Sequence, residues 1–308
     1  MEGILNIDKP RDETSFRTVS RIKRLTGAKR AGHAGTLDPA ATGVLPICLG
    51  QATRVVEYLM DATKTYRARL ELGATSDTYD ATGDVIRQPV PGDITREAAE
   101  AALDPFRGAI RQTPPMFSAV KHQGQPLYRL ARAGIEVPRR TRAVRIDRLE
   151  IAEWQPPLLT IEVDCSKGTY IRSLAHDFGQ ALGCGAILAD LVRLRCGIFR
   201  IEDALSPDEV AEACLRGDLP SRLYPADSVL QSWRAVSVSE ETAAALQKGQ
   251  SVSLPETSPP SGDEPPFLRA YHPAGFFLAV LSHVPGTETW HPVKVFHPPE
   301  TVGECGPE

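Results

Sequence analysis

The chain has 308 residues, 42% hydrophobic and 24% charged, with a formal net charge of −4. A chain of this size can bury a large core over two domains, and no apolar run approaches the roughly 18 residues of a membrane span. The acidic total hides an asymmetry, because residues 1–200 carry 29 basic and 23 acidic side chains while residues 201–308 carry 6 and 16.

The elements follow in chain order. GILNI, at residues 3–7, reads as a strand. SFRTVSRIKRLTG predicts a helix over residues 15–26, with Phe16, Val19, Ile22 and Leu25 on its apolar face and Gly27 as its stop. Within LDPAATGV, Asp38 reads as a helix N-cap with Pro39 at the first helical position. TYRARLELG is a strand, with Tyr66, Ala68, Leu70 and Leu72 on one face and Thr65, Arg67, Arg69 and Glu71 on the other. AVRIDRLEIAEW is a third strand whose alternation slips near Arg148, so a bulge is expected there. LLTIEVDC is a fourth. After SKGT the chain turns helical, with Ile171, Leu174, Ala175, Phe178 and Leu182 apolar and Gly183 at the end. SPDEVAEACLRG combines an N-cap at Ser206, Pro207 at the first helical position and Glu209 completing a capping box.

Near residue 230 the composition changes to short β-like runs, RAVSV, FLRAY, GFFLAVL and VKVF. Residues 235–298 therefore read as a small β-rich domain behind a first domain of residues 1–234. PETSPPSGDEPP is expected to be a flexible surface loop, and residues 299–308 a disordered tail. Strands and helices alternate without a regular βαβ rhythm, which predicts an α+β fold. There is no internal repeat.

The six cysteines, Cys48, Cys165, Cys184, Cys196, Cys214 and Cys305, are scattered and form no CxxC pair. That argues against a zinc site and a disulfide framework and fits a reducing compartment. The opening, MEGILNIDKPRDE, lacks a basic segment followed by an apolar run, so a cytoplasmic location is expected. Residues 121–150 hold 8 basic and 3 acidic side chains, densest from Arg139 to Arg148. Such a cluster is either a solvated face or a front for phosphate groups, where the local field outweighs the net charge.

The segment AGHAGTLDPAATGVLPICLG, residues 31–50, places one carboxylate among small and apolar residues. Its glycines match neither GxGxxG nor GxxxxGK[ST], so a nucleotide-phosphate loop is disfavoured. Asp38 is left as a helix cap, as a catalytic carboxylate held on a rigid turn, or as both. AGHAGTLDPAATGVLPICLGQATR resembles the signature of the TruB family, the bacterial tRNA pseudouridine-55 synthases. NIDKP, KTYRARLELG, PPMFSAVKHQGQPLYRLARAGIEVPRR and CSKGTYIRSLAHDFGQALGCGAILADLVRLRCG are similar to further blocks of that family, in its order. The resemblance is dense over residues 3 to about 200 and thin beyond.

What the resemblance implies is a pseudouridine-synthase fold, a mixed and largely antiparallel sheet with flanking helices and a central cleft, followed by a C-terminal PUA-type RNA-binding domain. It implies isomerisation of uridine 55 in the T-loop of tRNA after the base is flipped out, with neither cofactor nor metal. Asp38 matches the catalytic aspartate and Arg172 the arginine paired with it. Tyr66 matches the tyrosine that stacks on the target base, and Tyr170 and Leu191 match residues lining the uracil pocket. His33 matches a histidine that fills the space left by flipped bases, and Lys9 is a candidate near the site. The basic insertion, about residues 107–148, is expected to grip the T-arm. A monomer with no protein partner and no membrane association is expected. The alternatives are a tRNA-binding or folding protein without chemistry, a nucleotide-dependent enzyme and a guide-RNA-dependent synthase. The joint presence of Asp38, Tyr66 and Arg172 favours an enzyme over a binder, and the compact chain with its bacterial-like C-terminal part favours a stand-alone enzyme over a guide-RNA-dependent one.

Overall fold

The computed structural model describes residues 1–92, 94–255, 257–258, 260 and 265–298. Its centre is a nine-stranded sheet. The strands are β1 (Gly3–Lys9), β2 (Ala31–His33), β3 (Thr42–Leu49), β4 (Lys64–Leu72), β5 (Gly108–Gln112), β6 (Arg142–Gln155), β7 (Leu158–Cys165), β8 (Ala186–Cys196) and β9 (Phe199–Arg200). Their order is β1-β3-β8-β4-β7-β6-β5, with β2 on β3 and β9 on β8. Every contact is antiparallel except that of β3 with β8, which spans only Thr42 with Val192 and Gly43 with Arg193. This short parallel seam brings the Asp38 segment beside Leu191.

The period-two reading of β4 matches the structure: Ala68, Leu70 and Leu72 are buried, while Arg67 and Arg69 are exposed. Each buried leucine of this kind contributes about 1.5–3 kcal/mol. The slip near Arg148 is a bulge between Ile146 and Arg148, and a second follows between Ile151 and Glu153. Helix α1 (Ser15–Thr26) is capped by Thr14 and ends on Gly27 at φ 62°. Its buried residues are Ser15, Thr18, Val19 and Ile22, and Phe16 is 77% exposed, contrary to the expectation. A run at strict i+3 spacing drifts about 60° round the helix per step, which carries its first member off the core face. Between Arg96–Leu103, which is α2, and the next long helix, the chain leaves the sheet at residues 113–141 to form a hairpin and the short helix Leu127–Arg132. Helix α3 (Ile171–Ala181) buries Ile171, Leu174, Ala175 and Phe178 against the sheet. Helix α4 (Pro207–Arg216) has the predicted capping box and Pro207 in its first turn.

No helix begins at Asp38. Ala41 donates to the Asp38 carbonyl at 3.1 Å, closing a turn, and the chain then runs straight into β3. Thr42, Val44 and Ile47 are β-branched, and Pro46 would cost a helix interior about 3 kcal/mol, so the local chemistry favours the strand. Gly43 adopts φ 100°, and a Cβ there would collide with the backbone of Arg193 across the seam.

The C-terminal sheet contains β10 (Arg234–Ser237), β11 (Val252–Ser253), β12 (Phe267–Tyr271), β13 (Phe277–His283) and β14 (Thr289–Val295), in the order β10-β12-β13-β14-β11. Helix α5 (Glu240–Gln247), which the strand-like reading missed, covers it together with buried Trp290, Leu268 and Leu281. The other face joins the first part through one core cluster containing Ile4, Val44, Cys48, Val280 and Phe296. The predicted disordered tail, residues 299–308, and part of the predicted flexible loop lie outside the described residues.

Candidate active site

The Asp38 turn is held from three sides. The Ser15 hydroxyl accepts from the Leu37 amide at 2.9 Å and donates to the Leu37 carbonyl at 3.0 Å. The Pro39 carbonyl accepts from the Asp12 amide at 2.9 Å and from the Lys9 ammonium at 3.1 Å. Lys9 is fully buried and also donates to the carbonyls of Pro10 and Glu13, at 2.7 Å each. Burial lowers its pKa to about 8, against the pull of Glu13, Asp12 and Asp38. Lys9 is thus a brace of the Asp38 turn, with its donors committed to backbone carbonyls.

Arg172, at the start of α3, meets this turn across 134 positions of sequence, with its Nη2 2.9 Å from the Asp38 Oδ2. The same guanidinium lies 3.4 Å from the Asp80 carboxylate and donates to the carbonyls of Thr78 at 3.4 Å and Phe117 at 2.9 Å. Its side chain is 7% exposed, so the pair is screened little by solvent on that side, and the Asp38 side chain is 46% exposed. Although its side chain remains accessible, the Asp38 carboxyl sits on the floor of a cleft. Burial pushes its pKa above the ordinary carboxylate value, Arg172 pulls it down and Asp80 pushes it up. An accessible carboxylate, fixed by a buried cation and backed by a rigid turn, can attack an electrophilic carbon or take a proton.

The cleft is lined by Asp38, Asp80, Arg172, Leu188 and Leu191 among others. Tyr66 and Tyr170 stand outside this lining. Tyr66 lies on β4 opposite Arg193, two positions along from the pair Ala68–Leu191. Burial pushes its phenol up to about 12, with Arg193 opposing. Tyr170 immediately precedes α3, with the Arg142 guanidinium 5.9 Å from its ring centre. His33 ends β2, five residues before Asp38, and burial together with Arg193 lowers its pKa, which favours the neutral ring. Among the described residues, no group of three or more His, Cys, Asp or Glu is placed to hold a metal ion.

Two residues of the site escaped the sequence reading. Asp80 lies in SDTYDATG, which reads as a solvated acidic turn, and its link to Arg172 exists only in three dimensions. Its carboxylate accepts from the Thr78 hydroxyl at 2.7 Å and the Thr82 amide at 2.9 Å, so it too is fixed. Arg193 is 1% exposed and donates to the carbonyls of Val44 at 2.6 Å and Gly35 at 3.1 Å. It ties β8 to both ends of the Asp38 segment. The strand AILADLVRLRC carries Asp190, Arg193 and Arg195, and nothing in its pattern singles out Arg193 as the buried one.

A family model described as TruB family pseudouridylate synthase, N-terminal domain, matches residues 23–171, and one described as tRNA pseudouridylate synthase B C-terminal domain matches residues 172–231. A relative from Dehalococcoides mccartyi named tRNA pseudouridine synthase B is 42% identical over 96% of this chain and 97% of its own. The chain belongs to the TruB family. A Pseudomonas aeruginosa relative of the same name is 42% identical over 91% of each chain. Among solved structures, a chain in a Cbf5-Nop10-Gar1 complex has a TM-score of 0.70 at 28% identity, covering 92% of this chain and 78% of that one. A chain in an H/ACA RNP bound to a substrate RNA shares the fold, with a TM-score of 0.73 at 24% identity over 96% and 85%. The TruB protein described here is thus a pseudouridine synthase, an isomerase, and Asp38 and Arg172 fall within the TruB-matched residues.

Proposed function

We propose that this TruB protein converts uridine 55 in the T-loop of tRNA to pseudouridine. The observation that carries the reading is the accessible Asp38 carboxylate, set in the TruB motif and paired at 2.9 Å with buried Arg172. The full-length match to relatives named tRNA pseudouridine synthase B supports tRNA as the substrate. In the reaction the N1–C1′ bond breaks, the base turns, and a C5–C1′ bond forms. The C5 hydrogen leaves as a proton and N1 gains one, so atoms and electrons balance.

The uridine leaves the stack at a cost of a few kcal/mol and is held in the cleft. Leu191 packs on one face and Tyr66 stacks on the base, a contact worth about 1–3 kcal/mol. Tyr170 completes the uracil pocket, and His33 fills the gap in the RNA left by the flipped nucleotide. Arg172 holds Asp38 ionised and aimed at the sugar or the base. The segment of residues 113–141 grips the T-arm, and the C-terminal sheet serves as a PUA-type module. The protein acts as a cytoplasmic monomer without a guide RNA.

The experiment follows tritium release from tRNA transcript labelled at uridine C5, with filter binding alongside. Wild type is expected to release one tritium per tRNA, from position 55 only. Asp38→Asn is expected to bind tRNA normally and release none. Binding by both proteins with release from neither would leave a tRNA-binding protein.

A further inference from the structure

Gln112, the last residue of β5, is 1% exposed and has both ends of its amide engaged by a single residue. Its Oε1 accepts from the Tyr170 backbone amide at 2.7 Å, and its Nε2 donates to the Tyr170 carbonyl at 2.9 Å. Tyr170 is the N-cap of α3, yet no side-chain bond of its own caps that helix. Gln112 therefore sets the angle at which the chain starts α3. Two residues further on is Arg172, the partner of Asp38. The next residues of the insertion continue the same seam, because the Ser173 hydroxyl donates to the Thr113 carbonyl at 2.8 Å and Arg172 donates to the Phe117 carbonyl at 2.9 Å.

We propose that Gln112 is a positioning residue for the isomerisation: its double hydrogen bond to the Tyr170 backbone fixes the first turn of α3, and so holds Arg172 against Asp38 from the base of the insertion. The physical reason is the stiffness of the arrangement. An amide that clamps the two peptide units flanking one residue, at the Tyr170 N–H and the Tyr170 C=O, removes rotation as well as translation. A single bond would leave the helix start free to pivot. A displacement of about 1 Å at a reacting group can lower a rate about a hundredfold. Because Gln112 immediately precedes residues 113–141, the segment proposed to grip RNA and the helix carrying Arg172 share one joint.

The inference rests on the proposed tRNA isomerisation, and the test separates the two. Full-length wild type, Gln112→Met and Ser173→Ala are compared by single-turnover tritium release, by filter binding of tRNA and by thermal unfolding. Gln112→Met keeps the side chain's length and removes both bonds to Tyr170. Ser173→Ala loosens the same seam without freeing Tyr170. The expected result is a rate about tenfold or more below that of Ser173→Ala, with tRNA affinity within about twofold of wild type. A rate within about twofold of Ser173→Ala, or a loss that lies wholly in affinity, would overturn the proposal. Gln112→Asn, one methylene too short to make both bonds, replaces Gln112→Met if that variant does not fold and faces the same criteria. If wild type releases no tritium, it is the substrate reading that fails.

Discussion

The cleft and the C-terminal sheet differ in how much charge they bury. Around the cleft, ionic groups are drawn inside: Arg193, Arg172 and Lys9 are all buried, and their donors are spent on backbone carbonyls and two aspartates. The C-terminal sheet instead has an apolar core, with Leu268, Leu281 and Trp290 buried beneath α5. Its strands carry three Lys or Arg side chains, of which Arg269 is buried and paired with Asp227, Lys294 pairs with Glu57 at the surface, and Arg234 donates to the Ser258 carbonyl. Buried charge is costly to assemble and removing one partner leaves the other uncompensated, whereas a largely apolar core loses mainly packing when a side chain is truncated. The two regions should therefore respond differently to substitution.

Arg172→Ala should give the largest effect of those below. Single-turnover release should fall by about 10²–10³, the range seen when a preorganised charged donor is lost. Burial raises the Asp38 pKa above its ordinary value, and the proposed mechanism uses the ionised form, so the rate should fall as pH drops through that pKa. Removing the arginine, which holds that pKa down, moves the acid limb of the pH–rate profile upward. Asp80→Asn should cost less, about tenfold, because Arg172 keeps its other partners. Its acid limb should move the other way, to lower pH, since the Asp80 charge raises the Asp38 pKa. Parallel shifts in the two variants would refute the shared network.

Next comes RNA affinity. The cluster Arg139–Arg148 is partly spent within the protein: Arg148 is engaged with Glu150, Glu162 and Asp164, Arg145 with Asp147, and Arg139 with the Pro114 carbonyl. The exposed cations of the segment are Lys121, Arg129, Arg132 and Arg140. Replacing these four by alanine should weaken tRNA binding and lower the slope of log K against log salt by roughly 3. An unchanged slope would remove the gripping role from the insertion. Trp290→Ala should have the smallest effect on chemistry. It should destabilise the C-terminal core by about 3–5 kcal/mol, read by thermal unfolding. The release rate of folded protein should stay within about twofold of wild type, because Trp290 packs in a core cluster separate from the one that holds Leu37 and Leu191. A large rate loss would show that the sheet reaches into the cleft.

Local pattern was a good guide wherever one face of one element decided the outcome. The strand at residues 64–72, the bulge at Arg148, the capping box at Ser206 and the start of α3 all follow from short-range chemistry. The turn at Asp38 did not, because an Asp-Pro pair suits a tight turn as well as a helix start. The β-branched residues and Pro46 downstream settle it. Phe16 misled for a related reason, since i+3 spacing by itself does not define a face.

Motif and spacing determined the family, the carboxylate and its partner arginine, because those residue types recur in one order along the chain. The tertiary structure decided the surroundings of that carboxylate. Asp80 and Arg172 are separated by 92 positions, Gln112 and Tyr170 by 58, and Lys9 and Pro39 by 30. No local propensity encodes such pairs. They form because the sheet order places β3 beside β8 and β5 beneath the start of α3, and because buried polar groups must find partners wherever the fold brings them.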